Sequence, residues 1–294
     1  MQVLKGKEVA DQAYVELEER CKSFIAQYGY SPSLAVVLVG EDPASQSYVA
    51  SKQKACDRLG IEHKDYLLSD KTSETELLGL VKLLNEDNSV HGILVQLPLP
   101  SHINETAIIG AINPAKDVDG FHPQNVGNLL IGNPAFVSCT PLGILALLDH
   151  YRIETSGKHV VIVGRSNIVG KPMAALLMQK GRDATVTVCH SKTKDLPTIT
   201  AQADILIAAI GRANFIKTAM VKQGCVIIDV GINRVEDASR ARGYRLVGDV
   251  DYESVAPKTK AITPVPGGVG VMTIAMLMNN TILAAEQLAT QGER

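Results

Sequence analysis

Tyr48 and Lys52 stand four residues apart in a segment, Ser45–Leu59, whose pattern predicts a helix stopped by Gly60. That spacing puts the phenol and the amine on one face, with Ser45 just ahead near the helix start. The pair reads either as solvated surface groups or as a lysine in a partly apolar pocket. In the second case burial lowers the amine pKa and lets it exchange protons near neutrality. Gln96, in Val95-Gln96-Leu97-Pro98, closes the apolar run His91–Leu97. A lone amide at the C-terminal end of a buried strand either starts the loop or faces a ligand, since ligands gather beyond such strand ends in open α/β sheets. Asp117 and Asp119 flank Val118 in Lys116-Asp-Val-Asp-Gly120. They suit a metal, an amidine-like donor on a substrate, or an Asx turn beside Gly120. No further ligand cluster lies nearby, so a metal is not expected. Pro264-Val-Pro266-Gly267-Gly268-Val269-Gly270-Val271-Met272-Thr273 precedes the last predicted helix. Its glycines let backbone N–H groups approach a ligand closely, or they form a hinge. His91, His122 and His190 are candidates by type only and receive no catalytic role. His150 is expected on a helix surface.

A second constellation suits a nucleotide. The strand His159–Gly164 runs into Arg165-Ser166-Asn-Ile-Val-Gly170-Lys-Pro172 and a helix over Gly170–Lys180. A helix N-terminus there would present free N–H groups and a positive dipole end to a phosphate. Only Gly164 and Gly170 remain of the common G-x-G-x-x-G pattern. The following strand, Thr185–His190, leads into Ser191-Lys192 without the carboxylate that a NAD-preferring site places there. Ser191, Lys192 and Arg165 would instead hold a phosphate, which points to NADP over NAD.

These residues need a scaffold, and the 294-residue chain has material for two domains. Hydrophobic residues make up 46% of it, enough for a sizeable core. A net charge of −2 and only 4% aromatics give no reason to expect nucleic acid or an anionic membrane as partner. The five cysteines are odd in number and lack metal-type spacing, so they read as reduced thiols. The N-terminus is too polar for a secretory signal, and the runs Ile205–Ile210 and Ile274–Met278 are too short to span a membrane. A cytoplasmic protein is therefore expected. Helical and buried-strand patterns alternate throughout: helices at Glu8–Tyr28, Ser73–Asn88, Pro141–His150, near Leu196–Ala203 and at Met272–Ala289, and strands at Ser33–Gly40, Ile61–Leu68, Ile205–Gly211 and Cys225–Gly231. The stretch Ile112–Ser138, rich in Asn, Pro, Gly and Asp, reads as a linker or a substrate-facing loop. The fold class is α/β with mostly parallel strands.

Five segments carry a family resemblance: Tyr48–Cys56, Gly92–Pro100, Asp117–Gly120, Gly164–Pro172 and Pro264–Gly270. In that order, over essentially the whole chain, they resemble the bifunctional methylenetetrahydrofolate dehydrogenase/methenyltetrahydrofolate cyclohydrolase family. The resemblance implies an α/β folate-binding domain over 1–138, completed by a C-terminal helix in 271–294. It also implies a Rossmann-type NADP domain with a parallel sheet over 139–270, with the folate cleft between them, and a homodimer. Lys52 would be the central catalytic residue, Tyr48 would stack or hydrogen-bond in the folate pocket, Gln96 would orient Lys52, and Asp119 would bind the pterin. Ser45, Val95, Leu97, Pro266, Gly267, Gly268, Val269, Gly270 and Thr273 would complete the folate site. Gly164, Arg165, Ser166, Gly170, Ser191 and Ile232 would line the NADP site. One departure is visible: Val271 stands where the family usually has Pro, which restores an N–H and frees φ in the loop. Another NADP-dependent two-domain oxidoreductase, such as an amino-acid dehydrogenase, and a catalytically silent nucleotide-binding protein are the rival readings. The Tyr48, Lys52, Gln96 and Pro266-loop combination separates the family from both.

Overall fold

The computed structural model describes residues 1–133, 135–240 and 243–292. The chain divides into two compact units, one of Gln12–Cys139 with the segment from Ile274 onward, the other of Met1–Asp11 with Thr140–Thr273.

In the first unit three parallel strands lie in the order Glu62–Leu68, Ser33–Val39, Gly92–Val95. Ser33–Val39 is buried at every position because it is central and both sheet faces are covered. Its side chains alternate between two cores. Leu34, Val36 and Leu38 meet Val49, Ala55, Met278 and Ile282, while Ala35, Val37 and Val39 meet Leu77, Val81, Leu84 and Ile108. Each of the Val, Leu, Ile and Met side chains among them contributes about 1.5–3 kcal/mol through burial. The register Val37↔Val95 ends the third strand one residue before Gln96, whose N–H donates to the Val37 carbonyl at 2.8 Å. The helix Pro43–Leu59 starts on Asp42, whose carboxylate accepts from the Ser45 N–H at 2.8 Å, and ends on Gly60 at φ 71°. The helix Glu74–Glu86 opens with the expected capping box of Ser73 and Glu76. At its other end the buried Lys116 ammonium donates to the carbonyls of Leu84, Asn85 and Asp87 at 3.2, 2.8 and 2.9 Å. A cation there satisfies carbonyls that the helix itself leaves over.

The expected loop over 112–138 contains a helix, Pro123–Ile131, and another, Glu105–Ala111, comes just before it. Within that stretch Pro123 opens the helix and Gly132 ends it, and both short helices are bounded by caps. Asn104 accepts from Thr106 and Ala107, His122 Nδ1 accepts from the Gln124 N–H, and Gly132 takes φ 81°. Short helices bounded by such residues look like loop in a composition window.

The second unit carries a parallel sheet in the order Gln2–Val3, Ala261–Ile262, Val226–Asp229, Ile205–Ala208, His159–Val163, Thr185–Cys189. The two-residue strands have too few side chains to leave a periodic signal. An antiparallel hairpin pairs Asn233–Glu236 with Tyr244–Val247; the first strand is largely polar and both are only four residues long, too short for a clear alternation. The last helix runs over Val269–Thr290. Among the described residues it alone is long and apolar enough to cross a membrane, which the separate apolar runs did not suggest. Its Leu277, Met278, Ile282 and Ala284 are instead part of the first unit's core. Replacing Lys116 with Met should strip three carbonyls of their donor and cost about 2–3 kcal/mol of stability, read by urea denaturation.

Candidate active site

The helix Pro43–Leu59 delivers Lys52 into the interior of the first unit, where only 8% of it is exposed. Its Nζ donates to Gln96 Oε1 at 2.8 Å. The orientation of that amide is fixed, because Gln96 Nε2 donates to the Leu97 carbonyl at 2.8 Å. A flipped amide would oppose two N–H groups. Burial pulls the Lys52 amine below its ordinary value, and Asp119 is the first of the nearby groups that pull the other way. Burial likewise pushes the half-buried Asp119 carboxyl up to about 6, with the Lys52 charge opposing. Tyr48, one turn before Lys52, is partly exposed, and burial raises its phenol. Ser45 turns its hydroxyl back to Asp42 at 2.8 Å and so serves the helix start. Val95 is buried in the sheet, and Leu97 contributes its carbonyl.

The two aspartates do different work. Asp117 is buried and accepts from the N–H groups of Phe121 and His122 at 3.2 and 2.8 Å and from Asn125 Nδ2 at 2.9 Å. It organises the turn, as an Asx residue does. Asp119 is left facing Lys52. A Cβ on Gly120 would sit 2.6 Å from the Ser138 nitrogen, so only glycine, here at φ 70°, lets the two segments pass. Two residues escaped the sequence reading. Asn280, on the C-terminal helix, donates Nδ2 to the carbonyls of Val118 and Val137 at 2.8 and 3.0 Å. Cys139, whose thiol donates to the Val118 carbonyl at 3.5 Å and to Asp119 Oδ1 at 3.9 Å, packs against the same turn. A buried amide inside an apolar helix was the available signal for Asn280. For Cys139 there was none, since a free buried cysteine looks like any small apolar residue. Among the described residues no cluster able to hold a metal exists. The histidines are structural: His91 Nδ1 accepts from the Ser33 N–H at 3.0 Å, its ring stacks on Tyr30, and burial lowers it to about 4. His190 Nδ1 accepts from the Lys192 N–H at 3.1 Å, and His150 packs its ring on Tyr151 at the end of its helix.

In the other unit the strand His159–Val163 has Thr185–Cys189 on one side and Ile205–Ala208 on the other, so the chain changes direction across it. Crevices for nucleotides open at such points. Gly164, at φ 137°, passes so close to the Ala209 carbonyl that a Cβ would overlap it, and a Cβ on Gly170 would overlap the Gly164 carbonyl. Both glycines are therefore required by close backbone approach. The expected free N–H groups of the first helical turn are partly used. Ser166 Oγ accepts from Val169 and Gly170 at 3.1 and 3.5 Å, and the Ser166 carbonyl accepts from Lys171 at 3.1 Å. Arg165, Ser166, Ser191, Lys192 and Ile232 are exposed. The glycine-rich loop is anchored within this unit. The Gly6 N–H donates to the Gly267 carbonyl at 2.9 Å, a Cβ on Gly268 would lie 2.5 Å from the Pro264 carbonyl, and one on Gly270 would lie 3.0 Å from Ile232 Cδ1. Thr273 shares a hydrogen bond with Thr140 at 3.0 Å, Pro266 follows a cis bond, Val269 is buried, and Val271 is exposed. Lys52, Gln96 and Asp119 thus form one cluster, and the nucleotide and glycine-loop residues lie in the other unit.

The family model for the tetrahydrofolate dehydrogenase/cyclohydrolase catalytic domain matches residues 4–119. That for the NAD(P)-binding domain of the same enzymes matches residues 138–289. The bifunctional protein FolD of Prosthecochloris aestuarii is 59% identical over 286 residues, covering 96% of this chain and 97% of its own. The bifunctional FolD methylenetetrahydrofolate dehydrogenase/cyclohydrolase of Campylobacter jejuni has a solved structure with a TM-score of 0.92 at 50% identity, covering 98% of this chain and 99% of that one. The Trypanosoma brucei enzyme, solved with NADP cofactor and an inhibitor, gives a TM-score of 0.93 at 39% identity, with 98% of each chain covered. With matches at this identity along its whole length, the chain belongs to the tetrahydrofolate dehydrogenase/cyclohydrolase family.

Proposed function

We infer that this chain oxidises methylenetetrahydrofolate to the methenyl form with NADP and then hydrolyses that product to formyltetrahydrofolate. Its family membership supports both activities. The observation that carries the assignment of residues is the buried Lys52 amine, hydrogen-bonded to a fixed amide oxygen and facing Asp119.

Hydrolysis of the methenyl group needs a water to lose a proton beside a cationic carbon. A charged lysine would repel that carbon, whereas a neutral one does not. Burial favours the neutral amine, and Gln96 takes one of its N–H bonds, which directs the remaining lone pair elsewhere. Lys52 is thereby suited to accept the proton of the attacking water and to pass it on. Asp119, when ionised, offers paired acceptor oxygens to the amidine-like edge of a pterin. Its charge also raises the affinity of Lys52 for a proton. Tyr48 offers a half-exposed ring on which a flat heterocycle can stack. The family resemblance also assigns Pro266–Gly268 and the first helical turn after it to folate binding, with Val271 giving that turn an N–H that Pro would lack.

The nucleotide crevice fits NADP. Gly164 lets the first turn pack directly on the Ala209 carbonyl, no carboxylate follows the Thr185–Cys189 strand, and Arg165, Ser191 and Lys192 are exposed donors suited to a ribose phosphate. Ser166, Gly170 and Ile232 complete its lining. NADP supplies a hydride acceptor when bound; the chain's part is to hold reactants in line and exclude water. All five cysteines are free and buried, which supports a reducing setting such as the cytoplasm. A homodimer that engages neither nucleic acid nor membrane belongs to the same reading.

Replacing Lys52 with Met should lower hydrolysis of the methenyl substrate by about 10²–10⁴-fold while NADP still binds. The assay follows NADPH formation and then loss of the methenyl chromophore, and unchanged hydrolysis would remove Lys52 from the mechanism. Asp119→Asn removes a charge that holds the Lys52 pKa up. Since the neutral amine is the active form, the acid limb of the kcat–pH profile for hydrolysis should move to lower pH, and a shift to higher pH would reverse the sign of the coupling. Arg165→Ala should weaken NADP by about 10–100-fold and NAD hardly at all, as steady-state kinetics with each cofactor would read.

A further inference from the structure

Two aspartates with no part in the mechanism above are buried side by side in the nucleotide-binding unit. Asp249 is fully buried. Its Oδ2 accepts from the N–H groups of Ile210 and Gly211 at 2.6 and 2.9 Å, and its Oδ1 from the Arg212 N–H and Asn233 Nδ2, each at 2.9 Å. Asp229 ends the strand Val226–Asp229 and accepts from the N–H groups of Gly231, Asp249 and Val250 at 3.0, 2.9 and 3.0 Å. Seven donors converge on two carboxylates. The chain makes space for them with glycine, since a Cβ on Gly231 would overlap the Asp249 carboxylate and one on Gly248 the Asp229 carboxylate. Desolvating two like charges is costly, and burial pushes Asp229 up to about 7. A neutral turn would do for simple chain reversal, so the arrangement calls for another purpose.

The place of the anchored loop supplies one. Residues 209–212 follow the strand Ile205–Ala208, which neighbours His159–Val163 on the side away from Thr185–Cys189. Here Gly164 approaches the Ala209 carbonyl within overlap distance of a Cβ. The loop therefore packs against the Gly164 turn at the strand ends where a nucleotide crevice opens, while Ser191 follows the neighbouring strand on the other side. We propose that Asp249, braced by Asp229 and Asn233, is a positioning residue that sets the Ile210–Arg212 wall for the pyrophosphate and nicotinamide half of the dinucleotide. This rests on the reading that NADP occupies the crevice. Three successive amides held by one carboxylate leave the loop no rotational freedom, so the wall is formed before the ligand arrives.

Asp249→Asn replaces one acceptor oxygen by an NH2 that must face backbone N–H groups. Asn233→Ala removes one donor to Asp249 and a longer bond to the Val247 carbonyl at 3.4 Å, and serves should the first variant not fold. Binding of NADP and of adenosine 2′,5′-bisphosphate, which carries only the Ser191 half, is measured by calorimetry for each protein. Hydrolysis of preformed methenyl substrate is measured alongside. The expected result is an NADP Kd raised about tenfold in Asp249→Asn and about threefold in Asn233→Ala, with the bisphosphate fragment within about twofold of the parent and hydrolysis retained. An unchanged NADP Kd in the variants overturns the proposal, and so does parallel loss of NADP and fragment, which marks a merely structural residue. Failure of the parent protein to bind NADP would instead sink the cofactor reading on which the proposal stands.

Discussion

The bond between Lys52 Nζ and Gln96 Oε1 is the contact on which the first unit's arrangement turns. An amine at 8% exposure is a liability unless something accepts its hydrogen, and a carboxylate in contact would only fix it as ammonium. A neutral amide accepts the hydrogen without contributing a charge. For this to work, the strand Gly92–Val95 must end one residue before Gln96, and the amide must be held from behind by the Leu97 carbonyl. The helix Pro43–Leu59 must also be pinned at both ends, which Asp42 and Gly60 accomplish.

Among the described residues, most buried charges are consumed by backbone groups. Lys116 closes a helix, Asp117 closes a turn, and Asp229 and Asp249 gather successive amides. Each is a satisfied group whose task is to hold a segment still. Lys52 and Asp119 differ because their principal partners are another side chain and each other's field. Groups left with unspent hydrogen-bonding capacity in a desolvated place are those able to exchange protons or hold a ligand. Asn280 links the two kinds. It is a satisfied amide on the C-terminal helix, and it fixes the turn from which Asp119 projects.

The nucleotide-binding unit solves a different problem with similar means. Its glycines are placed where backbone meets backbone, Gly164 against Ala209 and Gly170 against Gly164. Main chain fixes the geometry of this turn, and Arg165, Ser191 and Lys192 are exposed at the ends of neighbouring strands.

The sequence by itself determined the α/β class, most long helices and strands, the capping box at Ser73, and the grouping of Tyr48, Lys52 and Gln96 as candidates. Those features are local, since periodicity, caps and strand length act within about a dozen residues. It could not separate Asp117 from Asp119, because the difference lies in which one meets Phe121, His122 and Asn125 after the turn closes. Nor could it find Asn280, whose partners lie more than a hundred residues away in sequence, or tell that Ser166 would take up the amides expected to be free. The four-residue hairpin strands and the two-residue strands were likewise decided only by pairing. Burial, desolvation and hydrogen-bond partnership are properties of segments brought together, and only the tertiary structure assigns them.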